Sequence, residues 1–175
     1  AVSEFLSDGC RFSSPFSFKD MDKAVERINR ALDNGERICI YGDYDCDGVT
    51  STALLYTFLS SLGGFVSYYI PNRITDGYGM NFDAIDKIKQ AGTDLIITVD
   101  NGISALEEAE YIYSKGMELV VTDHHQIGES LPRAEAVINP HRIDNELEFR
   151  DFAGVGVAFK LACALYNGDV EDLVE

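Results

Sequence analysis

Apolar residues recur along the chain in two rhythms. Met21, Ala24, Val25, Ile28 and Leu32 fall at the three-and-four spacing that puts them on one face of a helix. Asp20 stands where an N-cap is expected, and Gly35 where that helix should stop. Farther on, short apolar runs rich in β-branched residues occupy 37–42, 65–70, 94–99, 118–122 and 136–138, each bounded by turn-forming residues. Runs of that length and composition read as strands buried on both faces. Helical spacing returns at 49–62, 82–91 and 105–115, and once more around 156–166.

Strand and helix therefore alternate. The alternation predicts an α/β fold with an open, mainly parallel sheet of about five strands and helices on both faces. Residues 1–19, with the FSSPFSF stretch around Pro15, show no period and are expected to form a leader that packs its aromatic side chains on the domain. The domain itself is expected over 20–175. The chain begins without methionine and stops where a new helical segment starts at 170–175, so it is expected to be a piece of something longer.

Composition narrows the function classes. A chain of 175 residues with 46% hydrophobic and 25% charged residues suits one folded domain rather than a disordered segment. No run approaches the ~20 apolar residues that cross a bilayer, and the start lacks the basic end and apolar stretch of a signal peptide, so no membrane association and a cytoplasmic location are expected. Cys10, Cys39, Cys46 and Cys163 show no paired spacing and are expected as reduced thiols. With 14 basic against 30 acidic residues, the net charge of −16 argues against a broad basic surface for nucleic acid. A polyanionic substrate would have to be held by metal, by a few placed cations, or by another part of the protein.

The acidic residues are not spread evenly. The first strand runs into Tyr41-Gly42-Asp43-Tyr44-Asp45-Cys46-Asp47-Gly48, three carboxylates within five residues at a strand-to-helix turn. Two like charges about 4 Å apart repel by roughly 4 kcal/mol at an effective dielectric near 20, which protonation or a divalent cation must relieve. Asp residues at such a turn also serve as helix caps. The third strand, however, ends in Asp100-Asn101-Gly102 and the fourth in Asp123-His124-His125, so three strands each deliver acid or imidazole at the carboxyl edge where open α/β sheets bind ligands. Oxygen-rich sites suit magnesium or manganese, and imidazole adds a softer ligand or a proton carrier near neutral pH. A carboxylate shared by two ions would give a layout that activates water against a phosphoryl group, so phosphoester hydrolysis is the leading reaction class.

GDYDCDGVTS, TVDNGI, VTDHH and the INP at 138–140, in that order, resemble the successive motifs of the DHH phosphoesterases, named for Asp123-His124-His125. IPNRITDGYG at 70–79 and AGVGVAFKL at 153–161 resemble the branch of that family that degrades single-stranded DNA. The resemblance covers nearly everything from Asp20 onward. It implies Asp45, Asp47, Asp100 and His124 as ligands of two Mn2+ or Mg2+ ions, Asp100 being shared, with Asp43 a further ligand or a supporting carboxylate. It implies Asp123 and His125 as the catalytic pair, and Arg73, Tyr78 and Asn139 as substrate contacts. It further implies 5′-to-3′ exonuclease action on single-stranded DNA in recombination and repair, with a repair helicase or single-strand-binding protein as partners. Tyr41 stands where many relatives carry a metal-binding His, and a further Asp ligand and a second domain are expected beyond residue 175. Two alternatives stay open: a DHH phosphoesterase for short oligonucleotides, cyclic dinucleotides or pyrophosphate, and a non-catalytic scaffold of the same fold.

Overall fold

The computed structural model describes residues 13–74 and 79–166. After one turn of 3-10 helix at Pro15–Ser17, the elements are α1 (Met21–Asn34), β1 (Arg37–Tyr41), α2 (Cys46–Ser61), β2 (Phe65–Tyr69) and α3 (Phe82–Gln90). There follow β3 (Leu95–Val99), α4 (Leu106–Ser114), β4 (Glu118–Thr122), β5 (Ala136–Ile138) and α5 (Gly154–Leu165). The strands form one sheet in the order β2-β1-β3-β4-β5, every pair parallel. The predicted fold class is the observed one.

Alternation along the strands divides the core in two. Ile38, Ile40, Leu95, Ile97, Val99 and Val120 face α1, α2 and α5, meeting Met21, Ile28, Leu55, Leu59, Val157 and Leu161. Cys39, Tyr41, Ile96, Leu119 and Val121 face α3 and α4, meeting Ile85, Ile88 and Ile112. Strands buried on both sides need apolar residues at successive positions, which is why these runs show no polar alternation. No helix among the described residues is long and apolar enough to cross a membrane. Cys39, Cys46 and Cys163 are all free thiols, and Cys10 lies outside the described residues.

Gly35 ends α1 in the left-handed conformation, φ 67°, as expected. The other end of α1 corrects the sequence reading. Asp20 holds the N-cap position with φ 62° and caps no amide. A left-handed backbone does not aim its side chain at the helix amides, and the carboxylate instead accepts from Arg142 Nη1 at 2.6 Å and pairs with Lys23 Nζ at 2.7 Å. Charge-assisted bonds to two cations outweigh one neutral cap bond. Phe18 is buried and meets Phe152 edge-on at 5.2 Å, joining the segment before α1 to the region before α5.

One feature of the topology positions the chemistry. From β1 the chain crosses to β2 at one edge, whereas from β3 it proceeds to β4 on the other side. β1 and β3 are thus neighbours whose connections diverge, which opens a crevice beyond their carboxyl ends.

Candidate metal centre

The turn after β1 folds tightly around glycines. A Cβ on Gly48 would lie 2.6 Å from both the backbone N and O of Asp43, so only glycine lets α2 start so close to the turn. Asp45 has extended backbone and caps α2, one oxygen accepting from Gly48 N at 2.9 Å. The cap reading of this residue is therefore correct as far as it goes, and it engages one of two oxygens. Asp43 is buried, and its Oδ1 has no hydrogen-bond partner among the described residues. Asp47, in the first turn of α2, accepts from Gly154 N and Val155 N, each at 2.7 Å, and so ties α5 to the site across 107 and 108 residues of chain.

Asp100 follows β3 with φ 61°, one of two described non-glycine residues in the left-handed region. Such backbone costs on the order of 1–3 kcal/mol and persists where the surroundings enforce it. The side chain is 1% exposed, and both oxygens are buried without a hydrogen bond from any described residue. Gly154 makes room for it: a Cβ there would lie 2.6 Å from Asp100 Oδ1. His124 Nε2 comes within 3.0 Å of the same oxygen, out of hydrogen-bond geometry, and within 3.6 Å of Asp47 Oδ2. Next along the chain, Asn101 Nδ2 donates to Tyr41 O at 3.2 Å and Val99 O at 2.9 Å, stitching β1 to β3 beneath the site.

Asp123, after β4, is enclosed by donors. Oδ2 accepts from Ile103 N at 2.9 Å, while Oδ1 accepts from His124 N at 2.7 Å, His125 N at 3.1 Å and lies 2.7 Å from His125 Nδ1. These contacts fix the turn that presents both imidazoles, whose rings stand 4.6 Å apart and tilted. Burial alone would raise the Asp123 carboxyl, but the bonds from His125 and from the Ile103 and His125 amides hold it below the ordinary carboxylate value. His125 is raised in turn, chiefly by its bond to Asp123.

Ligand atoms of Asp43, Asp45 and Asp100 lie within 4.8 Å of one another, as do those of Asp100, His124 and His125. Asp100 belongs to both groups. Burial first, then the charges of Asp47 and Asp45, push its carboxyl up to about 7. Asp43 is also raised, by burial and by Asp45, against a backbone bond from Tyr44. Buried carboxylate oxygens with no donor, crowded by like charges and faced by imidazole, are what a divalent cation relieves, so the donor set fits the expected metal.

The remaining expected residues divide. Asp47 sits beside these groups with its carboxylate on two amides. Asn139 is fully buried, donating to His125 O at 2.9 Å and accepting from His141 N at 2.8 Å, so it braces the His125 backbone from behind. Arg73 is exposed on the loop after β2, its guanidinium carbon 5.3 Å from the centre of the Tyr44 ring. Tyr78 lies outside the described residues. Tyr41 is buried against Tyr69, its hydroxyl donating to Gly79 O at 3.1 Å. Sequence reasoning passed over Gly154, Val155, Asn101 and Tyr44. The AGVGVAFKL motif carried a signal for the first two, because glycine opening an apolar helix suggests close backbone approach.

A parallel sheet whose switch point gathers aspartates and a DHH turn defines a class, and the chain belongs to it: residues 37–174 match the model of the DHH family, N-terminal domain. Among curated relatives it is 44% identical, over 94% of its length, to the single-stranded-DNA-specific exonuclease RecJ of Bacillus subtilis, and 47% identical, over 83%, to RecJ of Escherichia coli. It spans 21% and 25% of those two proteins. Among solved structures, an exonuclease RecJ bound to manganese superposes with a TM-score of 0.78 at 37% identity, covering 85% of this chain and 37% of that one. RecJ of Thermus thermophilus in complex with Mn2+ gives 0.70 at 34% identity, covering 85% and 21%.

Proposed function

We propose that this chain is the metal-binding part of an exonuclease that hydrolyses phosphodiester bonds of single-stranded DNA from the 5′ end, in the cytoplasm, in recombination and repair. The observation that carries the reading is Asp100, buried with neither oxygen hydrogen-bonded to a described residue, at the meeting point of two ligand groups. Asp43, Asp45 and Asp100 would hold one Mn2+ or Mg2+, and Asp100 with His124 a second, with Asp47 at the rim. Ions held there would supply activation of water and an offset to charge on the phosphoryl group.

The chain's own groups supply the rest. Asp123 keeps the His125 Nδ1 proton in place, so His125 presents Nε2 as the atom that exchanges a proton with the substrate. Arg73 offers a guanidinium to a backbone phosphate. A strand of DNA must approach a domain of net charge −16, so a basic companion domain supplies the long-range attraction. The same charge favours the second reading, a phosphoesterase for short oligonucleotides. Manganese-dependent degradation of 5′-labelled single strands of graded length by the intact protein separates the two. Processive loss of long strands supports the exonuclease, and activity confined to fragments of a few nucleotides supports the alternative. Asp100→Ala should abolish either activity, and near-normal turnover of that variant would overturn the metal site.

A further inference from the structure

The loops that leave β1 and β2 run side by side. Tyr41 is in register with Tyr69, and Gly42 N donates to Tyr69 O at 2.9 Å. Three residues after Tyr41 comes Tyr44, between Asp43 and Asp45, and four after Tyr69 comes Arg73. The guanidinium lies over the Tyr44 ring at 5.3 Å, inside the range of a cation–π contact. An exposed Arg samples many rotamers, an entropy that a phosphate must otherwise overcome on binding. A ring beneath the guanidinium restricts it while engaging no hydrogen-bond acceptor, so the N–H donors stay available.

We propose that Tyr44 is a positioning residue. Its ring holds Arg73 beside the carboxylate cluster and sets the distance between the bound phosphate and the scissile one. The residue between two candidate ligands is thereby a determinant of substrate affinity rather than a spacer. This inference rests on the exonuclease reading above.

Three properties of the contact make it testable. Phenylalanine keeps a ring, so Tyr44→Phe should leave KM for single-stranded DNA within about twofold. Tyr44→Leu removes the ring and should raise KM several-fold with kcat nearly unchanged, as should Arg73→Ala. Because both act through one phosphate contact, the double variant should be no worse than Arg73→Ala alone. Losing one contact should also lower the dependence of log KM on log salt by about 0.7 in each of them, a change that general loosening would not produce.

The experiment is that set of variants in the intact protein, assayed with manganese across a salt series, with the manganese-induced rise in melting temperature measured for each. A retained rise shows that the metal site survives, so loss of the metal reading and loss of the positioning reading are told apart. Should Tyr44→Leu not fold, Tyr44→Met fills similar space without a ring. Non-additive KM effects with a reduced salt slope, preserved by Tyr44→Phe, support the proposal. Additive effects, a change confined to kcat, or an unchanged slope overturn it.

Discussion

Asp123 Oδ1 lies 2.7 Å from His125 Nδ1 while Asp123 Oδ2 takes the amide of Ile103. One buried carboxylate thus holds an imidazole and the turn after β3 at the same time. Asp123→Asn keeps the size of the side chain but puts an amide where four donors converge. Removing an orienting partner of this kind commonly lowers activity by about 10- to 100-fold. The His125 pKa, raised now by that bond, should fall toward the free-histidine value. Histidine proton resonances followed through a pH titration read this directly, and an unmoved His125 titration would remove Asp123 from its supporting role.

Asp100 gives metal-free stability a particular pH dependence. Its folded carboxyl titrates at about 7, above the value near 3.8 of an unburied one, so folding favours the protonated form. The stabilisation is complete below about pH 4 and is lost as pH rises through 7. In chelator, the melting temperature of the wild type should fall across that window relative to Asp100→Asn, which carries no charge there, leaving the variant roughly 3–8 °C higher at pH 8. Saturating manganese should reverse the order. Parallel curves for the two proteins from pH 4 to 8 would contradict this account of the carboxyl.

Gly154→Ala tests the packing of the site. The new Cβ would stand 2.6 Å from Asp100 Oδ1 and 2.8 Å from Asp100 Cβ, in a region fixed by Asp47 on the Gly154 and Val155 amides. Overpacking of this kind costs about 1–3 kcal/mol. Gly156→Ala meets only the Phe152 ring at 3.3 Å and, lying inside a helix, should be near neutral. Melting curves with and without manganese should show the first variant destabilised and its metal-induced rise diminished, and the second close to wild type. Equal behaviour would mean that Gly154 is not there to admit Asp100.

Much of this was legible along the chain because burial on both sheet faces leaves uninterrupted apolar runs. The strands at 37–41 and 118–122 and the glycine stop at Gly35 stood out for that reason. That Asp45, Asp47, Asp100 and His124 would lie at one edge was expected because parallel strands end together, whereas the grouping of Asp43, ranked below Asp47, with Asp45 and Asp100 was not. Long-range polar partners left no trace in local pattern. Nothing near Asp47 announces that its carboxylate takes two amides more than a hundred residues away, nor does Asp20 announce Arg142. The resemblance implied Asn139 as a substrate contact, and its burial with Nδ2 on the His125 carbonyl appears only in the folded turn.

In the proposed site Asp100 joins two groups of ligands around divalent cations. Calorimetric titration of manganese into the protein at pH 6 and pH 8, in buffers of different ionisation enthalpy, tests it most directly. With the Asp100 carboxyl at about 7, wild-type binding at pH 6 should release about one proton more than binding by Asp100→Asn, and at pH 8 the two should hardly differ. Asp100→Asn should bind far more weakly and lack that Asp100 proton in its release at pH 6. Wild-type binding with no proton release at pH 6, or an Asp100→Asn protein that binds manganese as tightly as the wild type, would contradict the claim.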